Sequence, residues 1–271
     1  MGLVDPRPIG VFDSGVGGLT VLRALRARFP AESMVYLGDT ARVPYGTKSA
    51  EVVTRYSLRN AAFLAGQDVK LLVVACNTAS SVALPALGST LGIPVVGVIE
   101  PGAHAAARVS RSGRVGVVGT PGTIASGAYQ RAFAAERPGL HLHVQACPLF
   151  VPLVEEGWVQ GDVPRLVARA YLAPLRQAGI DTLVLGCTHY PLLRGVLAEE
   201  LGPDVTLVDS AEATADEVSR LLGRRVVAAA PGRAGALSVY VTDTPDRIPD
   251  LSARFLGERV EHAEHVDIGA C

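Results

Sequence analysis

Leu71-Leu-Val-Val-Ala-Cys76-Asn-Thr-Ala-Ser80 is the stretch around which the rest of the chain is organised. Its first half is an unbroken apolar run with adjacent valines, the pattern of a strand buried on both faces. The run turns polar at once, at Cys76, Asn77, Thr78, Ser80 and Ser81. That switch predicts Cys76 at the carboxyl end of a buried parallel strand, where open α/β sheets bind ligands. A helix starting soon after would offer free backbone N–H groups, which favour an anion or a thiolate.

The same pattern returns at Thr182-Leu-Val-Leu-Gly-Cys187-Thr-His-Tyr-Pro191. Again a buried strand ends in a small residue, a cysteine and hydrogen-bonding side chains. Two copies of a strand-end cysteine predict two similar half-domains facing each other across a cleft. A free cysteine more often behaves as a small buried hydrophobe. A packing cysteine needs no hydroxyl and amide neighbours, however, so the matched polar flanks favour chemistry. Cys147 lacks that escort and reads as packing. Cys271, at the extreme end, reads as frayed and without function.

The chain has 271 residues, room for two compact domains or one large one, and a formal net charge of −1. It is rich in Ala, Val, Leu and Gly and poor in aromatics, a packed α/β composition. There is no basic block and no aromatic–basic interleaving, so nothing supports nucleic-acid binding. The four cysteines are far apart and include no Cys-x-x-Cys pair, which argues against a disulfide scaffold or zinc ribbon. No signal peptide or membrane-length apolar run is visible, so the expected setting is the cytoplasm, away from membranes. Only Lys48 and Lys70 are lysines. A pyridoxal enzyme needs a Schiff-base lysine, and Lys70, at a strand entrance, reads as a solvated flank.

Ile9–Phe12 is a strand ending at Asp13-Ser14-Gly15-Val16-Gly17-Gly18, followed by a helix over Leu19–Phe29. A dinucleotide fingerprint would need glycine where Thr20 stands, so the glycines are expected to let a backbone approach some smaller ligand. Asp13 is a strand-end carboxylate whose alternative role is a helix cap. Gly46-Thr-Lys-Ser49 lacks the core of a phosphate loop. Further strands are expected at Met34–Leu37, Val95–Ile99, Arg114–Val118, Leu140–Ala146, Val205–Val208, Leu237–Val241 and near Val260. Helices are expected at Ser49–Gly66, Val82–Leu91, Ile124–Glu136, Val163–Gln177, Leu192–Leu201, up to Leu222 and near Pro249–Leu256. Glu100-Pro101-Gly102 and Pro148–Gly157 read as loops. The alternation predicts an α/β fold of two similar three-layer domains with mostly parallel sheets, pseudo-twofold related, with the site between them. The tail is expected to return to the first domain, giving residues 1–98 plus 208–271 and residues 99–207.

At these residues the sequence resembles the cofactor-independent glutamate racemases of the aspartate/glutamate racemase superfamily. The resemblance runs from Val11-Phe-Asp-Ser-Gly-Val-Gly-Gly18 to Thr206-Leu-Val-Asp-Ser210. Its most specific parts are Ala75–Ser80 and Gly186–Pro191, with Tyr36–Asp39, Val43–Gly46 and Leu149–Glu155 also matching. The resemblance implies Cys76 and Cys187 as the two proton donor/acceptors, with no cofactor. It implies Asp13 supporting Cys76, His189 supporting Cys187, and Glu155, rather than Glu156, as a nearby acid. By the same resemblance, Ser14, Tyr45, Gly46, Asn77, Thr78, Thr120, Thr123 and Thr188 would hold L- or D-glutamate, together with Asp13 and His189. It further implies a homodimer and a product, D-glutamate, that is a building block of bacterial peptidoglycan.

Chemistry agrees with the resemblance. Inverting an α-carbon means taking a proton from one face and delivering one to the other, which two opposed thiols do simply. A free thiol, of pKa about 8.5, is only a few per cent thiolate at neutral pH, and a helix N-terminus beside each cysteine would raise that fraction. Three alternatives stand beside this reading: an aspartate racemase, a dicarboxylate-binding module with packing cysteines, and a nucleotide-dependent enzyme. His189 after Cys-Thr favours glutamate over aspartate by resemblance, and no intact phosphate motif supports the last.

Overall fold

The computed structural model describes residues 4–224, 226–230, 232 and 234–269; Cys271 lies outside the described residues. The first half runs β1 (Ile9–Asp13), α1 (Leu19–Arg28), β2 (Met34–Gly38), α2 (Ala50–Gly66), β3 (Leu71–Val74), α3 (Asn77–Val82), α4 (Leu84–Thr90), β4 (Val95–Gly97) and α5 (Ile99–Val109). It continues through β5 (Arg114–Gly119), α6 (Pro121–Ala125), α7 (Ala128–Glu136), β6 (His141–Ala146), α8 (Phe150–Glu155), α9 (Asp162–Gln177), β7 (Thr182–Gly186), α10 (Arg194–Leu201), β8 (Thr206–Asp209) and α11 (Ser210–Leu221). A tail of β9 (Leu237–Val241), α12 (Ile248–Phe255) and β10 (Glu264–His265) closes the chain.

Two parallel sheets result. The first has the order β10-β9-β2-β1-β3-β4 and the second β6-β5-β7-β8. With the tail strands set aside, β2-β1-β3-β4 and β6-β5-β7-β8 are the same topology, so Cys76 after β3 and Cys187 after β7 hold equivalent places. In this winding the chain leaves the first strand in opposite directions on its two sides, which opens a crevice at the carboxyl ends of neighbouring strands. Asp13 and Cys76 stand at one such crevice, Thr120 and Cys187 at the other. The central strands β1, β2, β3 and β7 are buried throughout, as their apolar runs require. β9 and β10 of the tail extend the first sheet. β8 pairs with β7 over its whole length, so the division drawn at residue 208 falls inside a strand.

Several local readings are corrected. Ile99–Val109 is helical although it contains Pro101 and Gly102. Proline is tolerated in a first turn, where its missing N–H had no intrahelical partner. Phe150–Glu155 is a helix rather than a loop, again with a proline in its first turn. The helix after Cys76 begins at Asn77, and the one after Thr120 at Pro121, broken by Gly127 at φ +68. The closing strand is at Glu264–His265, beyond Val260.

Lys70 is not a solvated flank. Its ammonium is buried at 2.6 Å from Glu32 and donates to the Asp5 carbonyl at 2.8 Å. Glu32 also accepts from Ala229 N–H at 2.8 Å. The pair therefore ties the chain's lead and the segment before β9 to the amino-terminal edge of the first sheet. Removing one partner of a buried pair strands the other charge, at a cost of about 3–5 kcal/mol. Lys70→Met is expected to lower the urea midpoint accordingly, and the double variant Lys70→Met/Glu32→Leu to regain much of the loss. A single variant as stable as the parent would contradict the pairing.

Candidate active site

A cavity of about 350 Å³ lies between the carboxyl ends of the two sheets, within the roughly 300–1,000 Å³ range of small-molecule sites. Cys76 and Cys187 both line it. From the first lobe come Ser14, Tyr45, Gly46, Asn77 and Thr78; from the second, Thr120, Glu155, Thr188 and His189. Val43, Val151 and four prolines supply the apolar wall. Two expected site residues stand behind the lining. Asp13 is fully buried, and Thr123 is held by the hydroxyls of Thr78 and Thr120.

Cys76 is the N-cap of α3. Its sulfur accepts from Ala79 N–H at 3.4 Å, and the Ser14 hydroxyl, 3.6 Å away, is placed to donate to the sulfur once it ionises. These contacts favour the thiolate, yet burial and then the Asp13 carboxylate outweigh them and push the Cys76 thiol up to about 12. The expected gain in thiolate from the helix start is therefore overridden. Burial also raises the Asp13 carboxyl, against the opposing pull of His189 and of backbone N–H groups including Gly18, Gly15 and Ser14. Gly15 N–H donates to Asp13 Oδ2 at 3.0 Å, while Oδ1 is buried without a partner among the described residues.

Cys187 is built differently. A 3-10 turn at Tyr190–Leu193, not an α-helix, follows it. Its neighbour is His189, with Nδ1 at 3.9 Å from the sulfur and Nε2 at 3.1 Å from Glu155 Oε1. Burial would push His189 down, but the Cys187 sulfur and the Glu155 carboxylate together raise it to about 10. One cysteine is thus flanked by a carboxylate and the other by an imidazolium. Glu155, not Glu156, reaches the cavity.

Three hydroxyls close one wall. Thr78, Thr120 and Thr123 form a triangle with oxygen separations of 3.0–3.1 Å, joining α3 to the start of α6 across the lobes. Gly46 fits against this group because a Cβ there would come within 2.8 Å of Thr120 Cβ. Tyr45 directs its hydroxyl away from the cavity, to Asp39, and accepts from Asn60 at 3.1 Å. The glycine loop after β1 packs closely against the second lobe. A Cβ on Gly17 would lie 2.3 Å from Thr188 Oγ1 and 2.5 Å from His189. Thr20, the residue that spoils the dinucleotide fingerprint, donates to the Thr188 carbonyl at 3.1 Å.

Tyr129 escaped the sequence reading. Its buried hydroxyl donates to Asn77 Oδ1 at 2.9 Å, which fixes the amide so that Nδ2 is left buried beside the cavity without a partner among the described residues. Its ring also crowds Gly186, where a Cβ would meet the Val118 carbonyl at 2.7 Å and Tyr129 Cε2 at 3.0 Å. In the sequence it is one more apolar position of a helix, and nothing local marks it.

Residues 18–218 match the Asp/Glu/Hydantoin racemase family, to which the chain belongs. It is 55% identical to a glutamate racemase of Geobacter metallireducens, over 97% of this chain and 98% of that one. A crystal structure of a Bacillus anthracis glutamate racemase superposes with a TM-score of 0.93 at 41% identity, covering 96% and 97% of the two chains. One from Francisella tularensis, in complex with D-glutamate, gives 0.90 at 37%, covering 98% and 99%.

Because the Asp13 charge raises the Cys76 thiol, replacing it should lower that pKa and enlarge the thiolate fraction at a given pH. Alkylation of Cys76 by iodoacetamide, followed by peptide mass spectrometry at pH 9, is expected to be slow in the parent and faster in Asp13→Asn. An equal or slower rate in the variant would show that Asp13 does not act on this sulfur.

Proposed function

We propose that the protein is a glutamate racemase, interconverting L- and D-glutamate by a two-base, two-cysteine 1,1-proton transfer without a cofactor. The observation that supports this is the pair of sulfurs, from equivalent strand ends of different sheets, lining one small cavity. One sulfur as thiolate takes the α-proton while the other, as thiol, delivers a proton to the opposite face. The reverse reaction exchanges their roles. Near full-length relatives named glutamate racemase, one solved with D-glutamate, support the choice of substrate.

The α-proton is far less acidic than a thiol, so the developing carbanion must be stabilised by groups aimed at it. Asn77 Nδ2, held by Tyr129, is a donor ready for the substrate. The first turn of α3 adds backbone N–H groups without intrahelical partners. Thr78, Thr120 and Thr188 supply hydroxyls at the lining, and Ser14 adds one next to Cys76. Val151 and the prolines face the methylenes. A bound α-ammonium would bring positive charge to the sulfurs and offset the burial that holds Cys76 protonated.

Asp13 acts on Cys76, and His189 with Glu155 acts on Cys187. Lys70 is committed to its ion pair with Glu32 and is not available as a Schiff-base amine. In this reading the enzyme is a cytoplasmic homodimer that supplies D-glutamate for peptidoglycan.

Purified protein given L-glutamate and no cofactor is expected to accumulate D-glutamate by chiral chromatography, and a lack of D-glutamate would overturn the proposal. Cys76→Ala and Cys187→Ala should each lose at least about a hundredfold in both directions; substantial racemisation by either defeats the two-base scheme. Asp13→Asn and His189→Asn should each slow one direction more than the other, whereas equal losses would contradict separate tuning of the two thiols.

A further inference from the structure

α12 lies in the tail, between strands that belong to the first sheet, yet its last turn reaches the second lobe's wall of the cavity. Arg254 Nη1 donates to the carbonyls of Val154 at 3.1 Å and Glu155 at 2.6 Å. These are carbonyls at the end of α8, on the negative end of the helix dipole; that of Val154 also accepts from Gly157 N–H at 3.0 Å. Gly157, at φ +80, follows them, and a Cβ there would lie 3.1 Å from Arg254 Nη2. The next residue of α12, Phe255, is fully buried and meets the His189 ring edge to face, with centroids 5.2 Å apart.

Two consecutive residues of one helix therefore touch both members of the Glu155–His189 pair. Phe255 packs on the imidazole, and Arg254 fixes the backbone that carries the carboxylate. The Glu155 side chain is 42% exposed, so packing alone does not hold it. Neither α12 residue lines the cavity. We infer that Arg254 is a positioning residue for the racemisation: through the end of α8 it holds the Glu155 carboxylate on His189, and so sets the geometry of the Cys187 side of the site. This rests on the function proposed above.

The ionisable groups facing His189 are Cys187 from its own segment, Glu155 from α8 and Asp13 from the end of β1; Phe255 contributes no charge. A Glu155 carboxylate allowed to drift would stabilise the imidazolium less, moving the alkaline limb of kcat/KM to lower pH. Loss of the Arg254 cation by itself acts with the opposite sign, so the direction of movement separates positioning from a direct charge effect.

The test compares Arg254→Ala, Arg254→Lys, Glu155→Gln and the double variant Arg254→Ala/Glu155→Gln, each checked for folding by circular dichroism. Arg254→Ala is expected to lose about tenfold in kcat/KM, as for a charge-assisted hydrogen bond. Its alkaline limb should move down, and Arg254→Lys should recover part of the rate. In the Glu155→Gln background the Arg254→Ala loss should nearly vanish, because the two act as one unit. Full additivity, an unchanged rate or an upward shift of the limb would overturn the role of Arg254. A parent protein without racemase activity would instead overturn the functional reading.

Discussion

The two lobes meet where backbone has no side chain to keep them apart. Gly17 sits against Thr188 and His189, and Gly46 against Thr120. Gly122 faces the Gly46 carbonyl, which a Cβ would approach to 2.9 Å. Such contacts leave no room for a methyl group, and they bring the carboxyl ends of two sheets close enough to share one small cavity. Packed interiors do not deform freely to absorb an extra carbon. The spacing of the two sulfurs is accordingly a property of the interlobe contact, and the glycines belong to the site even though they contribute no chemistry.

On that frame the two cysteines are equivalent in topology and unequal in surroundings. Cys76 has a helix start, a serine and a buried carboxylate; Cys187 has an imidazole backed by a second carboxylate. The difference follows from what each sheet's winding puts next to its cysteine. Asp13 ends the strand beside that of Cys76, whereas the matching position in the second sheet is Gly119, with Thr120 the counterpart of Ser14. A repeat that keeps its strands while changing the escorts gives its two cysteines different electrostatic surroundings.

Much of this was legible in the chain because buried parallel strands leave a strong mark. Leu71–Val74 and residues 183–186 are apolar throughout and give way abruptly to polar residues, which marks a buried strand and a candidate site at its end. Asn77, Thr78 and Thr120 stand out because each directly follows a strand end or opens a helix, whereas Ser14 and Thr188 enter only through the resemblance. Where local signals conflict with packing, the reading failed. Pro101 and Gly102 disguise a helix start, and an apolar run without periodicity hides α8. Lys70 looked like a surface charge, since its partner Glu32 lies on another segment. Tyr129 and Arg254 matter through contacts with residues 52 and about a hundred positions away, and no short pattern encodes those.

The central claim is that one sulfur removes the α-proton and a different one, from the other lobe, replaces it. The most direct measurement follows the isotopic content of both enantiomers at early times, with protiated L-glutamate turned over in D₂O. Two opposed bases require the first D-glutamate formed to carry deuterium at the α-carbon while the remaining L-glutamate is still protiated. The converse pattern should hold from D-glutamate. Product that retains the substrate's own proton, or deuterium entering residual substrate as fast as product, would mean a single base serves both faces and would contradict the account.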